Sequence, residues 1–299
     1  MTRHALWPPL LLGLFALVSM GFFALAKIAF AAGVPPLAFT FWQAAGGALT
    51  SLVWCGVRGL PVGLDRRHLR FYAIACLVGV VAPNALVFAA LPHVGSGPVG
   101  LVYGLSPVLT YGLALATGWE RRSLVRALGI LLGLCGAALV LVPRGALPDG
   151  AAAGWMALAF LAPAALAMGN VYRKADWPPG GLPPALAAGT QGAATLVFAP
   201  LMLGFGQGHA PGLPLDAGSA ALLALMLLAG LGQAVYFELQ RVASPVYFSQ
   251  ISYVATFAAL TVGVLGFGEH YSAWIWAALP VTVAGLLLVT FGGERAAGT

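Results

Sequence analysis

The chain has 299 residues, of which 61% are hydrophobic and only 7% charged, and its mean hydropathy is +0.94. A soluble globular chain carries about 25% charged residues, so a soluble enzyme or binding module is excluded, and a net charge of +6 built from 14 Lys and Arg is no nucleic-acid signal. Cys55, Cys76 and Cys135 are scattered through apolar runs, which suits helix packing better than a disulfide framework or a metal site.

A helix needs about 20 apolar residues to cross a bilayer core of roughly 30 Å. Such windows predict spans near 7–30, 36–57, 69–91, 96–117, 122–142, 152–173, 183–204, 218–240, 245–267 and 272–292. Arg3 and His4 before the first window, with Ala24-Leu-Ala26 inside it, resemble a secretory signal, but Leu6 to Phe30 is too long for a signal core and long enough to span. The expected fold class is therefore an all-α polytopic membrane protein with ten transmembrane helices.

The chain writes one pattern twice. Val94-Gly-Ser-Gly-Pro-Val99 returns as Val242-Ala-Ser-Pro-Val246 after 148 positions, and Gly118-Trp-Glu120 returns as Gly268-Glu269. Pro35-Pro36 with Gln43 has the spacing of Pro183-Pro184 with Gln191, and Gly136 before Leu139-Val140 matches Gly285 before Leu288-Val289. The offset is half the chain, which predicts a first five-helix repeat over 1–147 and a second over 148–299. An odd number of spans per repeat inverts the second copy.

Charge placement agrees with that inversion. With a cytoplasmic N-terminus, Arg3, Arg58, Arg66, Arg67, Arg70, Arg121, Arg122, Arg126, Arg173, Lys174, Arg241 and Arg295 all fall on the cytoplasmic side, leaving only Lys27 and Arg144 outside. The loop after the second span carries Arg58, Arg66 and Arg67, whereas its counterpart at 205–217 has no Lys or Arg. Both termini are expected in the cytoplasm and the chain in the inner, plasma membrane of a bacterium. Inverted repeats are a transporter device, because exchanging the conformations of the halves opens the protein to the other side.

These features resemble the drug/metabolite transporter superfamily, and within it the ten-helix, EamA-like exporters. The resemblance covers nearly the whole chain. Met20-Gly-Phe-Phe-Ala-Leu-Ala-Lys27 looks like the family's first-span pattern, Leu105-Ser-Pro107 followed by Gly118-Trp-Glu120 like its Leu-x-Pro to Gly-Glu hallmark, and Arg173-Lys174 like the basic pair closing the sixth span. Gln43 stands where the second span commonly has Arg, and Tyr253-Val-Ala255 replaces the second Leu-x-Pro. The charge-poor, Ala-, Trp- and Tyr-rich chain is similar to bacterial exporters of aromatic amino acids. The resemblance implies a small-molecule substrate and a lipid bilayer as partners, with no nucleic acid. One copy of the chain is enough for this reading.

Polar side chains inside the predicted spans are few. Gln43, Asn84, Ser106, Gln191 and Gln233 could serve a zwitterion, whose ammonium needs oxygens and whose carboxylate needs donors. Trp42, Tyr103 and Tyr253 could supply apolar walls, and Lys27, near the outer end of the first span, either snorkels or touches substrate. These are the candidate substrate-binding residues; helix-to-helix hydrogen bonding is the competing role for each. Pro83, Pro107, Pro163 and Pro280 lie near mid-span and are the candidate hinges. Glu238 is expected to pair locally with Arg241, and Glu120 and Glu269 to organise loops.

No catalytic residue, metal ligand or cofactor site is expected. The spans hold no HExxH, no Cys/His cluster and no aspartate pair. The expectation is a secondary transporter exporting neutral or aromatic amino acids by alternating access through a central cavity between the repeats. A multidrug or amine exporter is the alternative within the class, and a membrane-embedded enzyme the alternative outside it.

Overall fold

Proline and glycine punctuate an otherwise helical chain. The computed structural model describes residues 6–94, 104–141, 153–268, 270 and 273–291. The described elements are α1 (Trp7–Ala31), α2 (Pro36–Arg58), α3 (Arg66–Cys76), a π-turn (Leu77–Val81), α4 (Ala82–Val94), α5 (Ser106–Ala116), α6 (Leu124–Leu141), α7 (Ala153–Ala175), α8 (Pro183–Gly204), α9 (Ala217–Val242), α10 (Pro245–Ser249), α11 (Ile251–Phe267) and α12 (Ala273–Phe291). Prolines sit in the first turn of α1, α2, α5, α8 and α10, where a missing N–H costs nothing. Gly118 ends α5 with φ +75°: its N–H bonds to the Leu115 carbonyl and that of Trp119 to the Ala114 carbonyl, a Schellman closure that a Cβ would disfavour.

Two predicted spans are interrupted. The expected 69–91 helix begins at Arg66, capped by the Asp65 carboxylate on the Arg67 N–H, and widens into the π-turn just before Pro83. The expected 245–267 helix breaks at Gln250, between α10 and α11. Among the described residues, five stretches are long and apolar enough to cross a membrane: Trp7–Ala31, Arg66–Val87, Pro183–Gly204, Ala217–Val242 and Pro245–Phe267.

The chain divides into two units, and each takes segments from both halves of the sequence. The first comprises Met1–Leu77, Asp176–Val242 and Ala258–Gly266. In it α2 packs against α8 and α9, and α1 against α9. Its core gathers Ala29, Val34, Ala38, Phe39, Met202, Ala221, Leu222 and Leu225. Large side chains point away from it: Leu196 is 79% exposed and Leu227 72%. Gly46, Gly47, Ala48 and Ala185 to Ala188 are buried instead. Small residues at helix contacts, beside core leucines such as Leu222 and Leu225, are what packing in lipid favours, since lipid offers no hydrophobic gain between helices and close backbone approach supplies the contact. The Leu37 N–H donates to Gln207 Oε1 at 3.0 Å while Gly47 lies against Gln191, so α2 and α8 run antiparallel.

The second unit comprises Val78–Ala175, Ala243–Phe257 and Phe267–Thr299. Here α6 packs on α12, α4 and α5 on α7, and α10 on α5 and α7, around Ala114, Ile130, Val171, Val246 and Val289. Gly133 lies against Gly285, and Gly136 against Thr282. Contacts that step in opposite directions along two helices make α6 and α12 antiparallel. Shifted by the repeat offset of 149 positions, the first of these pairs becomes the second.

Candidate functional site

Each unit buries a polar cluster. In the second unit it is built on α7, where Asn170 and Arg173 stand one turn apart and therefore share a face. Arg173 is 1% exposed and Asn170 is buried. Arg173 Nη2 donates to Asn170 Oδ1 at 3.1 Å, and Asn170 Nδ2 donates to Thr110 Oγ1 of α5 at 3.2 Å. The guanidinium carbon lies 6.0 Å from the centroid of the Phe248 ring of α10. Burying a guanidinium costs several kcal/mol unless it is compensated; a charge-assisted hydrogen bond returns about 1.5–3 kcal/mol and an aromatic face about 0.5–2 kcal/mol.

Space for the guanidinium comes from two glycines. A side chain on Gly79 would collide with Arg173, and a Cβ on Gly169 would sit 3.1 Å from the Gly79 Cα. The π-turn and α7 thus touch backbone to backbone. Pro83 has no N–H to return to the Gly79 carbonyl, and Asn84 Nδ2 donates to the Val80 carbonyl at 2.7 Å. Ser106 is buried one turn before Thr110. Gln250, at the break between α10 and α11, is fully buried. Its Nε2 donates to the Val246 carbonyl at 3.3 Å, and its Oε1 has no partner among the described residues.

In the first unit, Gln191 of α8 and Gln233 of α9 both lie against Gly47 of α2. The Tyr72 ring covers Gly189. Tyr72 Oη and Thr190 Oγ1 are buried with no partner among the described residues, an uncommon state for polar atoms in a folded protein. Trp42 donates its indole N–H to the His209 carbonyl at 2.7 Å and meets the Phe41 ring edge-on at 5.1 Å. Gln43 and Lys27 are partly buried.

The expected site residues are thus distributed as Trp42, Gln43, Gln191, Gln233 and Lys27 in the first unit and Asn84, Ser106 and Tyr253 in the second. Tyr103 and Glu269 lie outside the described residues. Tyr253 is buried: its ring presses on Gly133, and its hydroxyl reaches the Gly104 carbonyl at 3.4 Å and the Ile130 carbonyl at 3.3 Å. Glu238 pairs with Arg241 at 2.6 Å and also accepts from the Trp7 indole. Arg126 and Glu120 form an ion pair beside the α5 terminus.

One expectation is corrected. Pro107 is not a mid-helix kink, because α5 begins at Ser106 and places it in the first turn, where no hydrogen bond is lost. Pro163 and Pro280 do stand inside helices, and Pro200 joins them. Arg173, counted from the sequence among the charges of the cytoplasmic side, is buried. No local signal separates it from Lys174; the glycine pair 79 and 169, which makes room for it, is recognisable only once α7 and the π-turn are adjacent.

Residues 7–142 match the EamA-like transporter family. The EamA-like stretch contains α1 to α6, and the family's members are membrane transporters of small molecules. No protein of curated function matches the chain. Its fold is similar to that of a solved crystal structure, with a TM-score of 0.82 at 19% identity, covering 96% of this chain and 97% of the other. That likeness is one of fold alone, and it covers almost the whole chain.

Proposed function

We propose that the chain is a secondary transporter of the drug/metabolite superfamily that exports small zwitterionic metabolites, neutral and aromatic amino acids among them, by alternating access. In this reading residues 1–147 and 148–299 are inverted five-helix repeats, ten spans in all, in a bacterial inner membrane with both termini cytoplasmic. The observation that carries it is the antiparallel pairing of helices one repeat apart. α2 and α8 are second spans of the two halves, and α6 and α12 are fifth spans. Repeats in the same orientation would set such equivalents parallel; a two-fold axis in the membrane plane sets them antiparallel. The reciprocal contacts Gly133–Gly285 and Gly136–Thr282 are what that axis produces.

The polar clusters support a substrate with both charges. In the first unit the oxygens of Tyr72 and Thr190, unpartnered among the described residues, are acceptors suited to an ammonium; in the second unit, taken by itself, the buried Arg173 suits a carboxylate. Gln43, Gln191, Gln233, Asn84 and Ser106 add neutral donors and acceptors, with Lys27 as a second cation. Trp42, Tyr103 and Tyr253 remain candidate walls.

Purified protein in liposomes tests the function against amino acids, amines, lipophilic cations and sugar phosphates. Flux of neutral amino acids, unchanged chemically, is expected, with large apolar ones among the better substrates because their burial gains about 25 cal/mol per Å². Flux of sugar phosphates without amino acids would reject the substrate class. Single cysteines at positions 66 and 210 test the topology: labelling by an impermeant thiol reagent from outside is expected at 210 and not at 66.

A further inference from the structure

We infer that the cleft lined by Arg66, Arg67, Arg70 and Asp176 binds the phosphate of an anionic phospholipid at the membrane surface. The cleft encloses about 580 Å³. Arg70 Nη2 donates to both Asp176 oxygens, at 3.0 and 2.9 Å, and Arg67 approaches the same carboxylate to 4.0 Å. Three guanidinium groups and one carboxylate line one hollow, which leaves two positive charges in excess. A phosphodiester offers two non-bridging oxygens that the planar fork of a guanidinium matches bidentately.

Depth selects lipid as the source of that phosphate. The arginines occupy the first turn of Arg66–Val87, a stretch able to cross the membrane, and Asp176 precedes the similar stretch Pro183–Gly204. Both stretches begin at the same face of the first unit, so the cleft stands at headgroup level. Two leucines flank the arginines in sequence and are exposed, Leu64 at 72% and Leu69 at 51%, which suits the upper part of an acyl chain. A bias of positive charge toward one membrane face accounts for arginines at this end of the chain but not for their convergence on a carboxylate.

The floor is built. Phe71 and Trp177 meet edge-on at 6.2 Å, Trp177 and Phe237 lie 6.4 Å apart, and the Trp177 indole N–H donates to the Gly181 carbonyl at 2.9 Å. These contacts hold Asp176 opposite Arg70, so little ordering is needed when a headgroup enters.

Native mass spectrometry of the full-length protein, offered phosphatidylglycerol and phosphatidylcholine of identical chains, tests this. The wild type is expected to retain phosphatidylglycerol with a preference of about ten-fold. Joint substitution Arg66→Gln, Arg67→Gln and Arg70→Gln should bring the preference to near parity, while the three lysine substitutions keep most of it. The pair Arg121→Gln and Arg122→Gln, basic residues that do not line the cleft, should change nothing. If that control pair lowers the preference as much as the glutamine triple, attraction is unspecific and the site is rejected. If 10 mM inorganic phosphate removes the preference, the cleft takes a soluble anion and the lipid assignment fails. Should the glutamine triple not fold, a lysine triple that binds both lipids equally would overturn the proposal by itself.

Discussion

Arg173 gives a guanidinium hydrogen to Asn170 at 3.1 Å, one turn away on the same helix, inside a protein that carries only 7% charged residues. The same Asn170 holds Thr110 at 3.2 Å, so α5 and α7 are tied through one amide. Replacing Asn170 by Ala strands partners at both ends and should cost about 1–3 kcal/mol. Thr110→Val should cost less, and the double variant little more than Asn170→Ala alone. Thermal unfolding of the four proteins in detergent reads the coupling; simple additivity would mean that the two residues act independently.

Gly79 admits the guanidinium, whereas Gly112 faces open space, where an added Cβ would meet nothing within 4 Å. Gly79→Val should therefore destabilise by about 1–3 kcal/mol through overpacking. Gly112→Ala should be neutral or gain roughly 0.5–1 kcal/mol, as expected for glycine in a helix interior. Equal melting temperatures for Gly79→Val and the wild type would show that Arg173 relocates without cost.

Gly136 and Thr282 touch across α6 and α12. Gly136→Ala should lower stability by about 1–3 kcal/mol, and Thr282→Ala in the same chain should restore much of it by removing the hydroxyl that the new methyl meets. Melting curves of the two single variants and the double variant measure that rescue.

Proline substitutions separate hinges from helix starts. Pro163→Ala restores a hydrogen bond inside α7 and should slow transport more than it weakens substrate binding, if α7 bends during the cycle. Pro107→Ala alters only a first turn and should leave the rate within about two-fold. Liposome flux at matched protein content checks both, and an unchanged rate for Pro163→Ala makes its bend a packing feature.

Asp216 starts α9: its Oδ1 accepts from the Ser219 N–H at 2.7 Å, and its carbonyl accepts from the Ala220 N–H. Hydrogen bonds from the Ser219 backbone and then its side chain hold this carboxyl below the usual carboxylate range. A folded pKa below the unfolded one stabilises above the unfolded value and loses that contribution as pH falls through the folded value. The wild type should therefore melt above Asp216→Asn at neutral pH, with the gap closing as the solution is acidified through the folded pKa. A gap that persists at the acid end would assign the difference to packing.

The amino-acid sequence by itself determined that the described chain is helical, because a long apolar run has few alternatives, but not the interruptions at Leu77–Val81 and Gln250. It also determined helix ends: Gly118 and the prolines before α2 and α8 act through their own backbone, with no distant partner. The Glu238–Arg241 pair was legible for the same reason, lying one turn apart on one helix. Burial in the second unit was not legible. Arg173 and Lys174 are indistinguishable as text, and only the approach of Gly169 to Gly79, about 90 positions away, removes one of them from solvent. Tyr72 and Thr190 became a polar pair of interest only when α3 was laid on α8. Propensity and hydropathy are local sums, whereas the dielectric around a side chain depends on which backbone packs against it, and that was decided by the tertiary structure.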